Sequence, residues 1–358
     1  MKSKSVEKEP KIKKDSNQEG SFDENKIQIE VEAIGAIDDW AVIGMAYTYL
    51  ALKNPSSYAI VSSWRGLKIV ENGVLRYSAI FPQNEGQVTE ISYISHLDCY
   101  LLNYDRKLYR KDIDENPPYL YIQREGEPVL AWSSFGYSNL HKRLLMVTES
   151  RKTLSVVDLD RRRVEMEVSR SQVDKIQDFK LFGFDQNQVV LLTTFGSIFL
   201  FTLKFDLKKV CAEKACKVKL LGDRAETFDS LAVSDNNKHV LAQIFSRGFK
   251  ISRMMLFGVK GRALVPLTSF DLFDQRIDRQ LLFQVGCHGN HSLWLGLSRA
   301  SNETLVYDFD IESRKLRELR EKRLYHLEFN LVKCQKLEDG LYYTGDRGSL
   351  KKIAVGFD

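Results

Sequence analysis

The sequence predicts an all-β fold, a seven-bladed β-propeller whose last blade is closed by the N-terminal strand. Three observations predict it. One unit of apolar strand, tight polar turn and apolar strand returns seven times. Its turns read Trp64-Arg65-Gly66, Asp105-Arg106-Lys107, Ser150-Arg151-Lys152, Phe195-Gly196-Ser197, Ser246-Arg247-Gly248, Ser298-Arg299-Ala300 and Asp346-Arg347-Gly348. Their central residues are 41, 45, 45, 51, 52 and 48 positions apart, the period of a strand-only propeller blade. Finally, with 7 prolines and no long amphipathic helical pattern, an α/β alternation is disfavoured.

The elements follow in order. Residues 1–26 are charged and aperiodic and are expected to be a disordered tail; 27–358 form the propeller. Ile27–Val31 alternates apolar and polar residues, as a half-buried strand does. Blade one takes Trp40–Leu50, Tyr58–Ser63, Leu67–Val70 and Val74–Ile80. Blade two takes Val88–Ser95, Tyr100–Tyr104, Leu108–Ile113 and Tyr119–Gln123. Blade three takes Val129–Phe135, Arg143–Thr148, Thr153–Leu159 and Val164–Val168. Blade four takes Asp178–Phe184, Gln188–Thr194, Ile198–Leu203 and Lys209–Leu220. Blade five takes Ser230–Ser234, His239–Phe245, Lys250–Val259 and Ala263–Leu272. Blade six takes Leu281–Cys287, Ser292–Leu297, Thr304–Ile311 and Lys315–Lys322. Blade seven has three strands, Leu327–Lys333, Gly340–Thr344 and Ser349–Val355, and then the chain ends. The left-over strand Ile27–Val31 supplies the fourth and removes the edges of an open ring.

Composition bounds the partners. The 53 basic and 48 acidic residues leave a net charge of +5, short of a dedicated nucleic-acid binder. Six lysines against two glutamates in the first fourteen residues form a basic stretch around Lys11-Ile12-Lys13-Lys14. The five cysteines, Cys99, Cys211, Cys216, Cys287 and Cys334, include no CxxC pair, as expected of free thiols in a reducing compartment. The start is charged rather than apolar, and the run 40–52 is too short to span a bilayer. The expectation is a cytoplasmic or nuclear protein, not secreted and not membrane-inserted.

Thr344-Gly345-Asp346-Arg347-Gly348-Ser349-Leu350 and the segment Thr148–Asp158 resemble the WD-repeat family: a small polar turn, then an apolar strand ending in an acid. The resemblance covers residues 27–358. The family's Gly-His and Trp-Asp dipeptides do not occur; Asp158, Asp308 and Asp310 are remnants of the second. The resemblance implies that the repeated turns join second and third strands and converge on one face around the channel.

Six of those turns carry arginine, which makes Trp64, Arg65, Arg106, Arg151, Arg247, Arg299 and Arg347 the candidate partner-binding residues. Guanidinium groups bind phosphate and carboxylate through paired hydrogen bonds. Against this stand acids expected at the same face: Asp38, Asp39, Glu85, Glu125, Glu127, Asp174, Asp223, Asp274 and Asp278. Alternating with the arginines, they would neutralise them.

No catalytic motif appears: no G-x-S-x-G, no phosphate-binding glycine loop, no H-E-x-x-H. Cys287-His288-Gly289-Asn290-His291 lacks the further ligands of a zinc site, so no metal or cofactor is expected. The sequence reads as a non-enzymatic interaction scaffold or subunit of a multiprotein complex. Its alternative is a nuclear chromatin- or RNA-associated propeller binding acidic or phosphorylated ligands through the turn arginines.

Overall fold

Leu144, Leu145, Met146 and Val147 are consecutive and all buried. A strand half-buried on one face would alternate; a continuous apolar run means that both faces are covered. Leu144 and Met146 pack toward one neighbouring blade, Leu145 and Val147 toward the other. This two-sided burial organises the whole chain. The computed structural model describes residues 26–35, 48–62, 66–80, 88–104, 107–122, 132–148, 153–168, 175–183, 185–193, 197–205, 210–219, 226–246, 252–272, 280–288, 290–298, 303–322, 324–325, 335–337, 339–344 and 350–357. The expected tail lies outside them, save Lys26.

Strand β1 (Ile27–Gly35) comes first. Blade one is β2 (Thr48–Asn54), β3 (Ser57–Ser62), β4 (Gly66–Glu71) and β5 (Val74–Ala79). Blade two is β6 (Val88–Ile94), β7 (Cys99–Tyr104), β8 (Lys107–Asp112) and β9 (Tyr119–Ile122). Blade three is β10 (Trp132–Ser138), β11 (Arg143–Thr148), β12 (Leu154–Asp158) and β13 (Arg163–Val168). Blade four is β14 (Ile176–Phe182), β15 (Gln188–Thr193), β16 (Ser197–Phe205) and β17 (Val210–Lys219). Blade five is β18 (Glu226–Val233), β19 (His239–Ser246), β20 (Ser252–Lys260) and β21 (Ala263–Leu272). Blade six is β22 (Gln280–His288), β23 (His291–Ser298), β24 (Glu303–Asp310) and β25 (Lys315–Glu318), with β26 (Leu324–Tyr325) also paired to β24. Blade seven is β27 (Gln335–Leu337), β28 (Gly340–Thr344) and β29 (Leu350–Phe357).

The closing strand is where the sequence places it. β1 pairs antiparallel with β29, from Ile27 opposite Phe357 to Gly35 opposite Leu350, and blade seven has the order β1-β29-β28-β27. Seven apolar clusters lie one at each blade-to-blade interface. Ile27 of β1 is buried among Leu293, Leu295 and Val306 of blade six and Leu341 and Ile353 of blade seven. The seam between blades seven and one is sealed by Leu350 and Tyr342 against Leu50, Leu52, Ile60 and Val70. The fold is therefore an all-β, seven-bladed ring.

Some boundaries differ from expectation. The first strand of blade one is described over Thr48–Asn54; residues 40–47 of the expected Trp40–Leu50 lie outside the described residues. The hairpin at Asn54-Pro55-Ser56 fixes its end: the Asn54 carboxamide accepts the Ser56 N–H at 3.0 Å, and Leu50, Ala51 and Leu52 fill the buried positions. The first strand of blade seven is Gln335–Leu337, and the expected segment Leu327–Lys333 lies outside the described residues. β26 was not expected; two residues of strand leave no readable period.

All pairs within each blade are antiparallel, so the chain runs up and down. First-to-second and third-to-fourth connections share one end of the ring, here the lower end. Second-to-third turns and blade-to-blade connections share the upper end.

Candidate interaction surfaces

The upper end receives every turn singled out in the sequence. Each joins the second and third strands of its blade: Trp64 and Arg65 lie between β3 and β4, Arg106 between β7 and β8, Arg151 between β11 and β12. Arg247, Arg299 and Arg347 hold the same place in blades five, six and seven. All seven candidate residues, and the nine acids expected beside them, lie outside the described residues.

The strand ends below them are described. Lys68, Glu90, Asn103, Ser197, Gln243, Glu303 and Thr304 are buried there, and none is without a partner. Asp178 at the bulge of β14 accepts the Leu231 N–H of blade five at 3.1 Å, tying two first strands together. A polar layer this deep is expensive unless each group is engaged. Gly66, at the head of β4, allows close packing against β5. Its φ is +137°, and a Cβ there would lie 1.9 Å from the Ala79 carbonyl oxygen.

The lower end is built from short polar turns, and it carries features that the sequence did not reveal. A chain of latches links neighbouring blades. Lys53 of blade one meets Asp98 of blade two at 2.9 Å. Ser95 of blade two hydrogen-bonds Asn139 of blade three, and His96 meets Tyr137. Gln186 of blade four accepts from Ser138 Oγ at 3.0 Å and the Leu140 N–H at 3.1 Å. Asn237 of blade five accepts the Gly183 N–H at 3.0 Å, and Gln284 of blade six accepts the Asp235 N–H at 2.5 Å. Gln335 of blade seven accepts the Leu52 N–H at 2.7 Å, across the closure seam. Single carboxamides, in turns or within strands as at Gln284 and Gln335, leave no periodic signal, which is why these positions were missed.

Acids ending third strands are turn caps. The Asp158 carboxylate accepts the Arg161 N–H at 2.9 Å, and Asp310 accepts the N–H groups of Glu312 and Ser313 at 2.9 and 3.2 Å. Such caps replace missing backbone partners. The Ser313 hydroxyl holds Asp310 below the usual carboxylate range. Asp98 is lowered by the Tyr93 hydroxyl first and the Lys53 ammonium second. Asp339 is lowered chiefly by Lys352, 2.8 Å away. Burial pushes the Cys99 thiol up to about 12.

The Cys-His segment considered for metal forms the β22–β23 hairpin, with His288 opposite His291. His291 Nδ1 stands 3.1 Å from both oxygens of the buried Asp308, which also takes Arg317 Nε at 3.1 Å. The Cys287 thiol accepts from Gln284 Nε2 at 2.7 Å. These side chains are engaged by one another, and among the described residues no three His, Cys, Asp or Glu groups could hold a metal ion.

His96 and His239 carry a pH dependence. His96 Nε2 lies 3.3 Å from Asp160, and the His239 ring meets Phe309 edge-on. Burial lowers both imidazoles from their ordinary value. The unfolded chain then binds protons first, so stability is fully present above the unfolded value of about 6.5 and falls as pH drops through the lowered folded values. The denaturant midpoint is expected to fall between about pH 7.5 and pH 5, and His96→Gln with His239→Gln to flatten that fall. A wild-type midpoint that rises on acidification would contradict the assignment.

No protein-family model matches the chain, and no curated protein matches it. Solved structures do. The WD40 β-propeller domain of Doa1 superposes with a TM-score of 0.58 at 12% identity, covering 91% of this chain and 97% of that one. The β-propeller domain of Cps50 (Swd1) from Myceliophteria thermophila gives 0.54 at 12% identity, covering 70% and 80%. The fold is that of the WD40 β-propellers. At this identity the likeness concerns the fold alone. Among the described residues no helix is long and apolar enough to cross a membrane.

Proposed function

We propose that this chain is a non-enzymatic interaction scaffold, a subunit of a multiprotein complex that docks partners on the upper end of the ring. The observation that carries the reading is the closure of the ring. The strand order puts the second-to-third connections of all blades at one end, and in sequence six of those connections carry arginine. A closed ring fixes the strand ends from which those connections leave, and a rigid frame lowers the entropic cost of docking. At the upper end of blade one, Ile80, just past β5, is 85% exposed. Cys99 and Cys287 are free thiols, which suits the cytoplasm or nucleus.

Arg65, Arg106 and Arg347 belong to blades one, two and seven, which are consecutive in the closed ring. Changing all three to Glu is expected to abolish co-purification of the main partner by like-charge repulsion. Each change alone should alter stability by no more than about 0.5 kcal/mol. The triple change at Arg151, Arg247 and Arg299 samples the rest of the ring. If both variants fold and keep every partner, the upper arginines are a solvated rim and the reading fails.

A further inference from the structure

The lower end of blade three carries a basic turn that the fold itself does not require. β12 stops at Asp158 and β13 starts at Arg163, so Leu159-Asp160-Arg161-Arg162 make the turn. Arg162 holds φ +52° and Lys142, just before β11, holds φ +53°. Glycine or asparagine fills such positions at least cost; a long cationic side chain there is strained. Left-handed residues recur at the lower turns of other blades, at Asn72, Asp98, Gln186, Asn237 and Arg314, so the conformation belongs to the turn and the two cations are what blade three adds to it.

The acids of this blade end are committed elsewhere. Asp158 and Glu165 hold Arg143 at 3.0 and 2.8 Å, and both also reach Arg161. Asp160 stands against His96. Lys142, Arg162 and Arg163 are exposed, and no described carboxylate lies within ion-pair distance of them. The Arg162 guanidinium lies 4.9 Å from the centroid of the Tyr121 ring, whose hydroxyl donates to the Leu159 carbonyl at 2.8 Å. That stacking fixes one guanidinium before any ligand arrives. β11 and β13 flank β12, so the two basic turns are about 10 Å apart, roughly three residues of extended chain.

We propose that this turn, through Lys142, Arg162 and Arg163, is a docking site for an acidic peptide segment of a partner, its anions supplied by carboxylates or phosphoserines. The site is at the opposite end of the ring from the turn arginines and does not depend on them.

The test uses the full chain and fluorescence anisotropy with a labelled peptide repeating Glu-Ser-Gly, with and without phosphorylated serines. Binding by the wild type is expected, weakening as salt rises. Arg162→Gly with Arg163→Ser should weaken it at least about tenfold. Glycine suits the left-handed position, so the same variant should melt no lower than the wild type. The phosphorylated and plain peptides show which anion is preferred. Absence of binding to either, unchanged binding by the variant, or tighter binding of an oligouridine than of both peptides would overturn the proposal.

Discussion

Deletion of residues 1–33 is expected to abolish cooperative unfolding and to drive aggregation, whereas deletion of 1–22 leaves the melting transition within about 0.5 kcal/mol of the wild type. The reason lies in β1. Removing 1–33 takes away Ile27 from the interface of blades six and seven and the pairing partners of β29 from Lys351 to Phe357. β29 then becomes a bare edge carrying unpaired backbone groups, a template for pairing with another chain. Ile29, half-buried at the same interface of blades six and seven, goes with it. A loss of this kind approaches the whole net stability of a domain, about 5–15 kcal/mol. The shorter deletion leaves Lys26 and all of β1 in place. Circular dichroism melts of the two truncations check the result. Equal, cooperative transitions would show that β1 does not close the ring.

Gly66→Ala is expected to destabilise by about 3 kcal/mol, combining backbone strain and overpacking. At φ +137° an added Cβ sits 1.9 Å from the Ala79 carbonyl oxygen and 2.9 Å from its carbon. The obstacle is backbone of the adjacent strand β5, which cannot turn aside as a side chain can. Gly73, one hairpin away, supplies the control. Its φ is +76°, but nothing lies within 4 Å of an added Cβ. Gly73→Ala therefore costs only the left-handed conformation, about 1 kcal/mol. Chemical denaturation of both variants decides it, and a cost for Gly66→Ala no larger than for Gly73→Ala would contradict the packing.

These two glycines mark what sequence reasoning reaches. Gly66 sits in the repeated turn Trp64-Arg65-Gly66 and was legible as part of it, because turn chemistry and strand period coincide there. The second and third strands were the most legible elements: Arg143–Thr148 and Gly340–Thr344 match in both bounds. Their two-sided burial gives unbroken apolar runs that no helix of this length would show. First strands were less legible. Thr48–Asn54 is the tail of a longer apolar run, and pattern alone does not say where in that run pairing begins. The closing strand was legible by counting, since blade seven lacked a fourth strand and Ile27–Val31 lacked a blade.

The interaction surfaces were legible only in part. The repeated arginines stand out because they recur at the blade period. The latches of the lower end, such as Gln186 and Gln335, do not recur in type or spacing, and each acts through a contact distant in sequence. The basic turn of blade three hid for another reason. Asp160-Arg161-Arg162-Arg163 reads as an ordinary charged loop until Arg162 is seen in a left-handed conformation over Tyr121.

The reading of this propeller as a scaffold is tested most directly by the state of the full chain at native abundance. The tagged chain, purified gently from its own cells and examined by sedimentation, is expected to travel well above the 41.3 kDa of the chain alone, with protein partners in fixed stoichiometry. A chain that sediments alone, as a monomer and without stoichiometric partners, would contradict it.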